Sequence, residues 1–389
     1  MKFKWTTKKI SELSDFNPRE VLQKGKIAKK IGMDKLQPFN RDIISYEKEI
    51  FTGGSKFRNG DTIMARITPC LENGKIAKVG ILDENEIGFG STEFIVLRAK
   101  EEIDEDYLYY LTCSSIVREP AIKSMVGSSG RQRVQTDVVQ NLEIEVPPYK
   151  EQRVIGKILK DIDDKIKLNN EINNNLEQQA KTIFENEFLF LEFLPKDWKQ
   201  GSLLNIANYL NGLAMQKYRP AIDEEGIPVL KIKELRQGYC DDNSELCSTN
   251  IKPEYIIHDS DVIFSWSGSL LVDFWCGGTC GLNQHLFKVT SDKYDKWFYY
   301  AWTKHHLEHF ITVATDKATT MGHIKRDELE KAKIIIPNST DYKRIGVLLQ
   351  PIYEFIIRNR IENKKLILLR NTILPKLMSG EIDVSEINI

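Results

Sequence analysis

The segment Gly127-Ser128-Ser129-Gly130-Arg131-Gln132-Arg133 places two guanidinium groups and one amide on a glycine-serine backbone. Arginine can donate two parallel hydrogen bonds to a guanine edge, and glutamine can pair with an adenine edge in the same way. That chemistry reads bases and breaks no bonds. A second stretch, Thr319-Thr320-Met321-Gly322-His323-Ile324-Lys325-Arg326, is again basic and polar but differs in residue identity. Such a difference is expected of two sites that read different sequences with one geometry. The candidate DNA contacts are therefore Lys56, Arg58, Arg66, Arg131, Gln132 and Arg133 in the first half. In the second half they are Lys217, Arg219, His323, Lys325 and Arg326. Any one of these cations, taken alone, reads equally well as a solvated surface charge. Many are expected on phosphates, which position a protein without reading sequence.

Motifs for catalysis are incomplete. Glu145-Val146-Pro147-Pro148-Tyr149 contains the Pro-Pro-Tyr of an amino-group methyltransferase, but Val146 stands where an Asn or Asp must hydrogen-bond the target amine. Gly25-Lys26 and Gly74-Lys75 are each followed by Ile and lack the leading glycines of a phosphate-binding loop. His305, His306 and His309 sit on an expected helix beside Glu308 and have no matching trio in the first half, so they read as a solvated face. Cys240, Cys247, Cys276 and Cys280 follow no familiar zinc spacing, and with Cys70 and Cys113 they read as buried or idle thiols. The expectation is a chain that is not an enzyme, with no catalytic residue, metal or cofactor of its own.

Composition sets outer bounds. A chain of 389 residues with 41% hydrophobic content has room for two ordinary domains. No apolar run approaches the roughly 20 residues of a membrane span. Met1-Lys2-Phe3-Lys4-Trp5 does not resemble a signal peptide, so a cytoplasmic location is expected. With 55 basic and 56 acidic side chains, bulk charge does not point to nucleic acid, and any such contact must come from local patches.

The elements that must position these residues are written twice. Val134 to Phe188 overlays Ile324 to Met378 at a constant shift of 190 residues, matching Asp137 with Asp327, Pro147 with Pro337, Gly156 with Gly346 and Thr182-Ile183 with Thr372-Ile373. The aromatic run Tyr107 to Tyr110 falls on Trp297 to Tyr300 at the same shift. Each half opens on a tryptophan, Trp5 or Trp198, and later reaches a strand-like run behind an aspartate, Asp61 or Asp261. Glu93 to Leu97, Leu142 to Val146, Leu286 to Val289 and Ala332 to Ile336 also read as strands. A period this long marks duplication of a whole domain.

After each duplicated region the spacing becomes helical. Ile162, Ile166, Asn169, Asn173 and Leu176 alternate steps of three and four, as do Ile352, Ile356, Asn359, Asn363 and Leu366. That is the 3.5-residue seam of a coiled coil. If the helices run antiparallel about a pseudo-two-fold axis, Asn169 faces Asn363 and Asn173 faces Asn359, and buried Asn pairs fix register. The first helix, from about Ile155 to Asn186, would be about 48 Å long at 1.5 Å per residue. The expected fold is α+β. It divides into a recognition domain at 1–149, a spacer helix at 150–190, a second recognition domain at 191–338, and a distal helix and tail at 339–389.

This order resembles the specificity subunit of type I restriction-modification systems. The most specific elements are the repeat phasing, the entry Pro147-Pro148-x-x-Glu151-Gln152-Arg153, and the closing Leu374-Pro375-Lys376-Leu377-Met378-Ser379-Gly380-Glu381-Ile382. The second entry, Pro337-Asn338-Ser339-Thr340-Asp341-Tyr342-Lys343, lacks the second proline and the Glu-Gln-Arg. The resemblance implies two target-recognition domains, each binding half of a bipartite sequence in double-stranded DNA. It implies helices that set the spacer and dock two modification subunits, which methylate adenine with S-adenosylmethionine. It also implies separate restriction subunits that use ATP and Mg to translocate and cut DNA. The competing expectation is a non-catalytic coiled-coil scaffold whose two variable heads grip other proteins.

Overall fold

The computed structural model describes residues 5–316, 324 and 326–387. The chain divides into two compact units: unit 1, Met1–Ile166 with Leu366–Ile389, and unit 2, Lys167–Lys365.

Unit 1 contains β1 (Thr6–Lys9), α1 (Ile10–Leu13), β2 (Ser14–Phe16), β3 (Ile27–Ile31), β4 (Glu47–Ile50), β5 (Ser55–Phe57) and β6 (Thr62–Ala65). It continues with β7 (Ile76–Lys78), β8 (Gly88–Gly90), β9 (Phe94–Ala99), α2 (Glu105–Cys113), α3 (Ser115–Lys123), α4 (Thr136–Gln140) and β10 (Glu143–Val146). The long helix α5 (Tyr149–Phe184) follows. Unit 2 repeats the series as β11 (Lys199–Ser202), α6 (Leu203–Ile206), β12 (Asn208–Asn211), β13 (Ile227–Leu230), an additional α7 (Ile232–Gln237), β14 (Leu246–Cys247) and β15 (Ile256–Ile257). Then come β16 (Val262–Ser265), β17 (Leu271–Phe274), β18 (Cys280–Leu282), β19 (Leu286–Thr290), α8 (Lys296–His305), α9 (Leu307–Asp316), α10 (Arg326–Lys331), β20 (Lys333–Ile336) and the second long helix α11 (Ser339–Met378).

Sheet connectivity confirms the duplication strand by strand. Unit 1 forms sheets β1-β10, β2-β9-β6-β7 and β4-β3-β8-β5, and unit 2 forms β11-β20, β12-β19-β16-β17 and β14-β13-β18-β15. The orders correspond strand for strand. Each unit is α+β, with a central sheet between helices and an outer sheet. Side chains on the central strands alternate between two cores, as the period of two requires. Met64, Ile95 and Leu97 face the helices, while Ile63, Phe94 and Val96 face the outer sheet with Ile31 and Phe57. In unit 2, Val262 and Phe264 face the helices and Ile263 faces Leu230, Ile257 and Leu282. The aspartates ahead of β6 and β16 have one job. Asp61 accepts the Arg58 N–H at 2.9 Å and the Arg98 guanidinium at 2.7 Å, and Asp261 accepts the His258 N–H at 3.0 Å and pairs with Lys288 at 2.9 Å.

The entry to each long helix is also shared, although the sequences differ. Trp5 Nε1–H donates to Glu151 at 3.2 Å, and Trp198 Nε1–H donates to Asp341 at 2.9 Å. Gln152 Oε1 accepts from the N–H of Asp104, the residue capping α2, at 3.1 Å. The hydroxyl of Tyr342 accepts from the N–H of Asp295, the residue capping α8, at 2.8 Å. The missing Glu and Gln are thus replaced by Asp341 and Tyr342, which accept from the equivalent tryptophan and helix-capping residue. The glycine in this helix is needed because α2 crosses closely. A Cβ at Gly156 would lie 2.6 Å from Asp104 Oδ1 and 2.9 Å from the Tyr107 nitrogen.

The long helices run antiparallel within each unit and also pack on its core. In unit 2, Asn169 Nδ2–H donates to Asn363 at 2.8 Å and Asn359 Nδ2–H donates to Asn173 at 2.9 Å, all four residues being buried. Ile356 is buried, and Leu176 and Ile352 pack half-buried against the core that holds Ala180, Phe184 and Phe188. In unit 1, Val154, Ile155 and Leu159 join Leu377 and Met378 in one core, and the seam residues Ile162, Ile166 and Leu366 are half-buried. Arg370 donates to Asp163 at 2.6 Å across this pair of helices. Among the described residues no helix is long and apolar enough to cross a membrane.

Candidate nucleic-acid interface

In unit 1 the basic loop is bound to the end of β6. The N–H of Val134 donates to the Arg66 carbonyl at 2.8 Å, and that of Thr68 donates to the Gln132 carbonyl at 3.0 Å. Val126 and Arg133 exchange backbone bonds at 3.0 and 2.9 Å, and a turn closes where Arg131 N–H meets Ser128 O at 2.9 Å. Gly127 makes the hairpin possible: its φ is +138°, and a Cβ there would lie 2.9 Å from the Arg131 carbonyl. This folding brings Arg66 and Arg133 onto Glu93, which stands just ahead of β9. Arg66 Nε–H reaches Glu93 at 3.2 Å, and Arg133 donates from Nε at 3.0 Å and from a terminal nitrogen at 2.7 Å. The Arg133 hydrogen bonds, helped by Arg66, hold the Glu93 carboxyl below its ordinary pKa despite partial burial.

The remaining candidates in unit 1 are placed differently. Arg131 and Arg58 are exposed and Gln132 is half-buried. Lys56, half-buried on β5, donates to the Glu20 carbonyl. It is engaged internally.

Unit 2 carries other chemistry at the equivalent place. Ile324 N–H donates to the Trp266 carbonyl at 2.9 Å, as Val134 does to Arg66, so Trp266 occupies the position of Arg66. His285, just ahead of β19, occupies that of Glu93. Trp266 Nε1–H donates to Asn211 at 2.9 Å and its ring lies 5.6 Å from Phe287, while His285 Nδ1 lies 3.0 Å from the Ser267 hydroxyl. His323 and Lys325 lie outside the described residues. Arg326 is exposed at the start of α10, Lys217 is exposed, and Arg219 pairs with Glu245 at 3.4 Å.

Glu93, Trp266 and His285 are absent from the sequence-based candidates. One signal was available. Arg66 and Trp266 each stand five residues beyond the matched aspartates Asp61 and Asp261, so a position where the repeat keeps its frame but changes its chemistry was visible.

The histidines on α8 and α9 are not all solvated. Among the described residues, no cluster of three His, Cys, Asp or Glu side chains is arranged to hold a metal. All six cysteines are free thiols, with Cys247, Cys276 and Cys280 buried. His306 is half-buried, and its Nε2–H donates to the Lys333 carbonyl at 2.9 Å. Burial pushes its pKa down to about 4, against a smaller upward pull from that bond. The unfolded chain therefore binds more protons than the folded one between about pH 4 and 6.5. Stability contributed by the neutral ring is complete above that window and lost as pH falls through it. His306→Gln is expected to flatten this part of the stability profile, as measured by urea midpoints from pH 4 to 7.

The model of the type I restriction modification DNA specificity domain matches this chain twice, at residues 3–178 and 195–368. The chain belongs to this family. The type I restriction enzyme MjaIX specificity subunit of Methanocaldococcus jannaschii is 26% identical over 313 residues, covering 74% of this chain and 71% of that protein. The EcoAI specificity subunit of Escherichia coli is 38% identical over 109 residues, which is 28% of this chain and 18% of that one. The crystal structure of the type I restriction-modification S subunit from M. genitalium shares the fold, with a TM-score of 0.61 at 14% identity and coverage of 97% and 96% of the two chains. Specificity subunits of this family are recognition components, so this chain is not itself an enzyme.

Proposed function

We propose that this chain is the sequence-specific DNA-binding subunit of a type I restriction-modification complex. Unit 1 and unit 2 each read one half of a bipartite duplex target, and the two helices shared between the units tie both readers into one polypeptide. Two modification subunits that carry S-adenosylmethionine would methylate adenine at the chosen address. Restriction subunits that use ATP and Mg would cut elsewhere. One observation carries the reading: two units with the same strand order hold different side chains, Arg66 with Glu93 and Trp266 with His285, at the same topological place. Heads that grip two different proteins would vary there as well, and it is the match of both repeats to a DNA specificity domain that favours DNA.

The test is to express the chain with its modification subunits and sequence the methylated DNA. A bipartite motif with an unread spacer is expected. Exchanging unit-2 residues 199–336 for those of a relative should alter one half of the motif only. Arg131, exposed at the loop tip, is expected on a phosphate. Arg131→Ala should weaken binding to all sequences alike and lower the slope of log affinity against log salt by about 1. Titrations at several salt concentrations check this, and an unchanged slope would remove Arg131 from the interface.

A further inference from the structure

We infer that Arg66 and Arg133 form a fork that reads guanine in the half-site bound by unit 1, with Glu93 as the positioning residue that holds the fork. This rests on the DNA-binding reading above and specifies its chemistry. Glu93 accepts from both guanidiniums, at 3.2 Å from Arg66 and at 2.7 and 3.0 Å from Arg133. Two cations share one carboxylate, so the cluster keeps a net positive charge. Arg133 stays 45% exposed and Arg66 34%, whereas Glu93 is only 21% exposed. The carboxylate therefore lies beneath the arginines and is largely occupied by them.

Arg66 meets Glu93 through Nε, and Arg133 through Nε and one terminal nitrogen. Anchored on that side, each planar guanidinium has little rotational freedom left to lose on binding. Guanine offers two acceptors, O6 and N7, on its major-groove edge, which match a guanidinium fork. Cytosine and adenine offer a donor there, which a guanidinium cannot accept. A phosphate could also bind these cations, but an exposed lysine serves that purpose without a half-buried carboxylate to orient it. In unit 2 the same place holds Trp266 and His285, which provide no such fork, so the requirement falls on one half-site only.

Wild-type complex is first tested on duplexes in which each guanine of the methylated motif is replaced in turn by 7-deazaguanine. This probe removes one acceptor and needs no protein variant to fold. One guanine, in one half-site, should weaken binding about 2- to 10-fold, since one of the two bonds of a bidentate base contact is lost. In Arg133→Ala or Arg66→Ala that penalty should disappear, and the methylated motif should accept other bases at that position while its other half is unchanged. Arg133→Lys, which keeps the charge and loses the fork, should relax the motif too. Glu93→Gln should reduce discrimination at the same base. A uniform loss of methylation with every motif letter retained would mean phosphate contact and overturn the inference while leaving the proposed function intact. A wild-type complex that methylates no bipartite motif would overturn both.

Discussion

Asp163→Ala is expected to destabilise unit 1 by about 3–5 kcal/mol, the usual effect of removing one partner of a buried ion pair. Asp163 and Arg370 have side chains only 5% and 10% exposed. Arg370 donates to Asp163 Oδ1 at 2.6 Å, Tyr110 O–H donates to Oδ2 at 2.7 Å, and Arg370 also reaches the Phe39 carbonyl at 3.1 Å. Without the carboxylate, a guanidinium stays buried among Tyr109, Tyr110 and Cys113 with its charge uncompensated. The duplication supplies the control. Under the 190-residue shift, Tyr110, Asp163 and Arg370 correspond to Tyr300, Tyr353 and Ala180, where two rings pack edge to face at 5.1 Å and Ala180 is buried in the same core. The double variant Asp163→Tyr with Arg370→Ala copies that neutral solution and is expected to recover most of the loss, since apolar replacement of a whole buried pair is often neutral or better. Urea unfolding with hydrogen exchange of α2 amides measures both. A single variant that costs less than about 1 kcal/mol would show that water reaches the site.

Ending the chain at Lys365 is expected to unfold unit 1 and spare unit 2. The removed segment supplies Leu377, Met378 and Val384, each no more than 2% exposed, along with Arg370. Losing one large buried aliphatic side chain costs about 2–5 kcal/mol, so three together rival the whole stability of an ordinary domain. Unit 2, bounded by Lys167–Lys365, keeps every residue of its core. Limited proteolysis should cut within β3 to β9 of the shortened chain and leave β12 to β19 protected. Equal protection of both would show that the last helical turns only decorate unit 1.

Much of this architecture was legible because it is written twice. The constant shift across Asp137, Pro147 and Gly156 placed the last strand and the long helix of each unit, and β20 begins and ends 190 residues after β10. The first long helix starts at Tyr149, ahead of the expected Ile155, because Trp5 and Gln152 bond its first turn where the apolar spacing gives no signal. That spacing could not separate pairing from domain packing, and here one helix does both. The asparagines mark where it pairs, and Ala180, Phe184 and Phe188 where it enters a core. The recognition surface was only partly visible. Arg66, Arg131 and Arg133 were apparent as cations, but Glu93 joins them across 27 and 40 residues of chain, a closure fixed by β-pairing that no local pattern announces. Trp266 and His285 were obscured for the opposite reason: an aromatic residue and an imidazole at strand ends are ordinary core sequence until Ile324 is found bonded to Trp266.

The partition of unit 1 between the two ends of the chain also bears on its synthesis. Unit 2 is one uninterrupted stretch, whereas unit 1 lacks part of its interior until Leu366 and the residues after it have been translated. At about 5–20 residues per second, the ribosome needs on the order of 10–40 s to travel from the end of the first segment to the beginning of the second. Through that interval the amino-terminal lobe is unfinished and presents apolar surface that chaperones recognise. A message broken between the codons for Lys365 and Leu377 therefore yields a polypeptide with one sound lobe and one fit for degradation, whereas an earlier break leaves neither lobe complete.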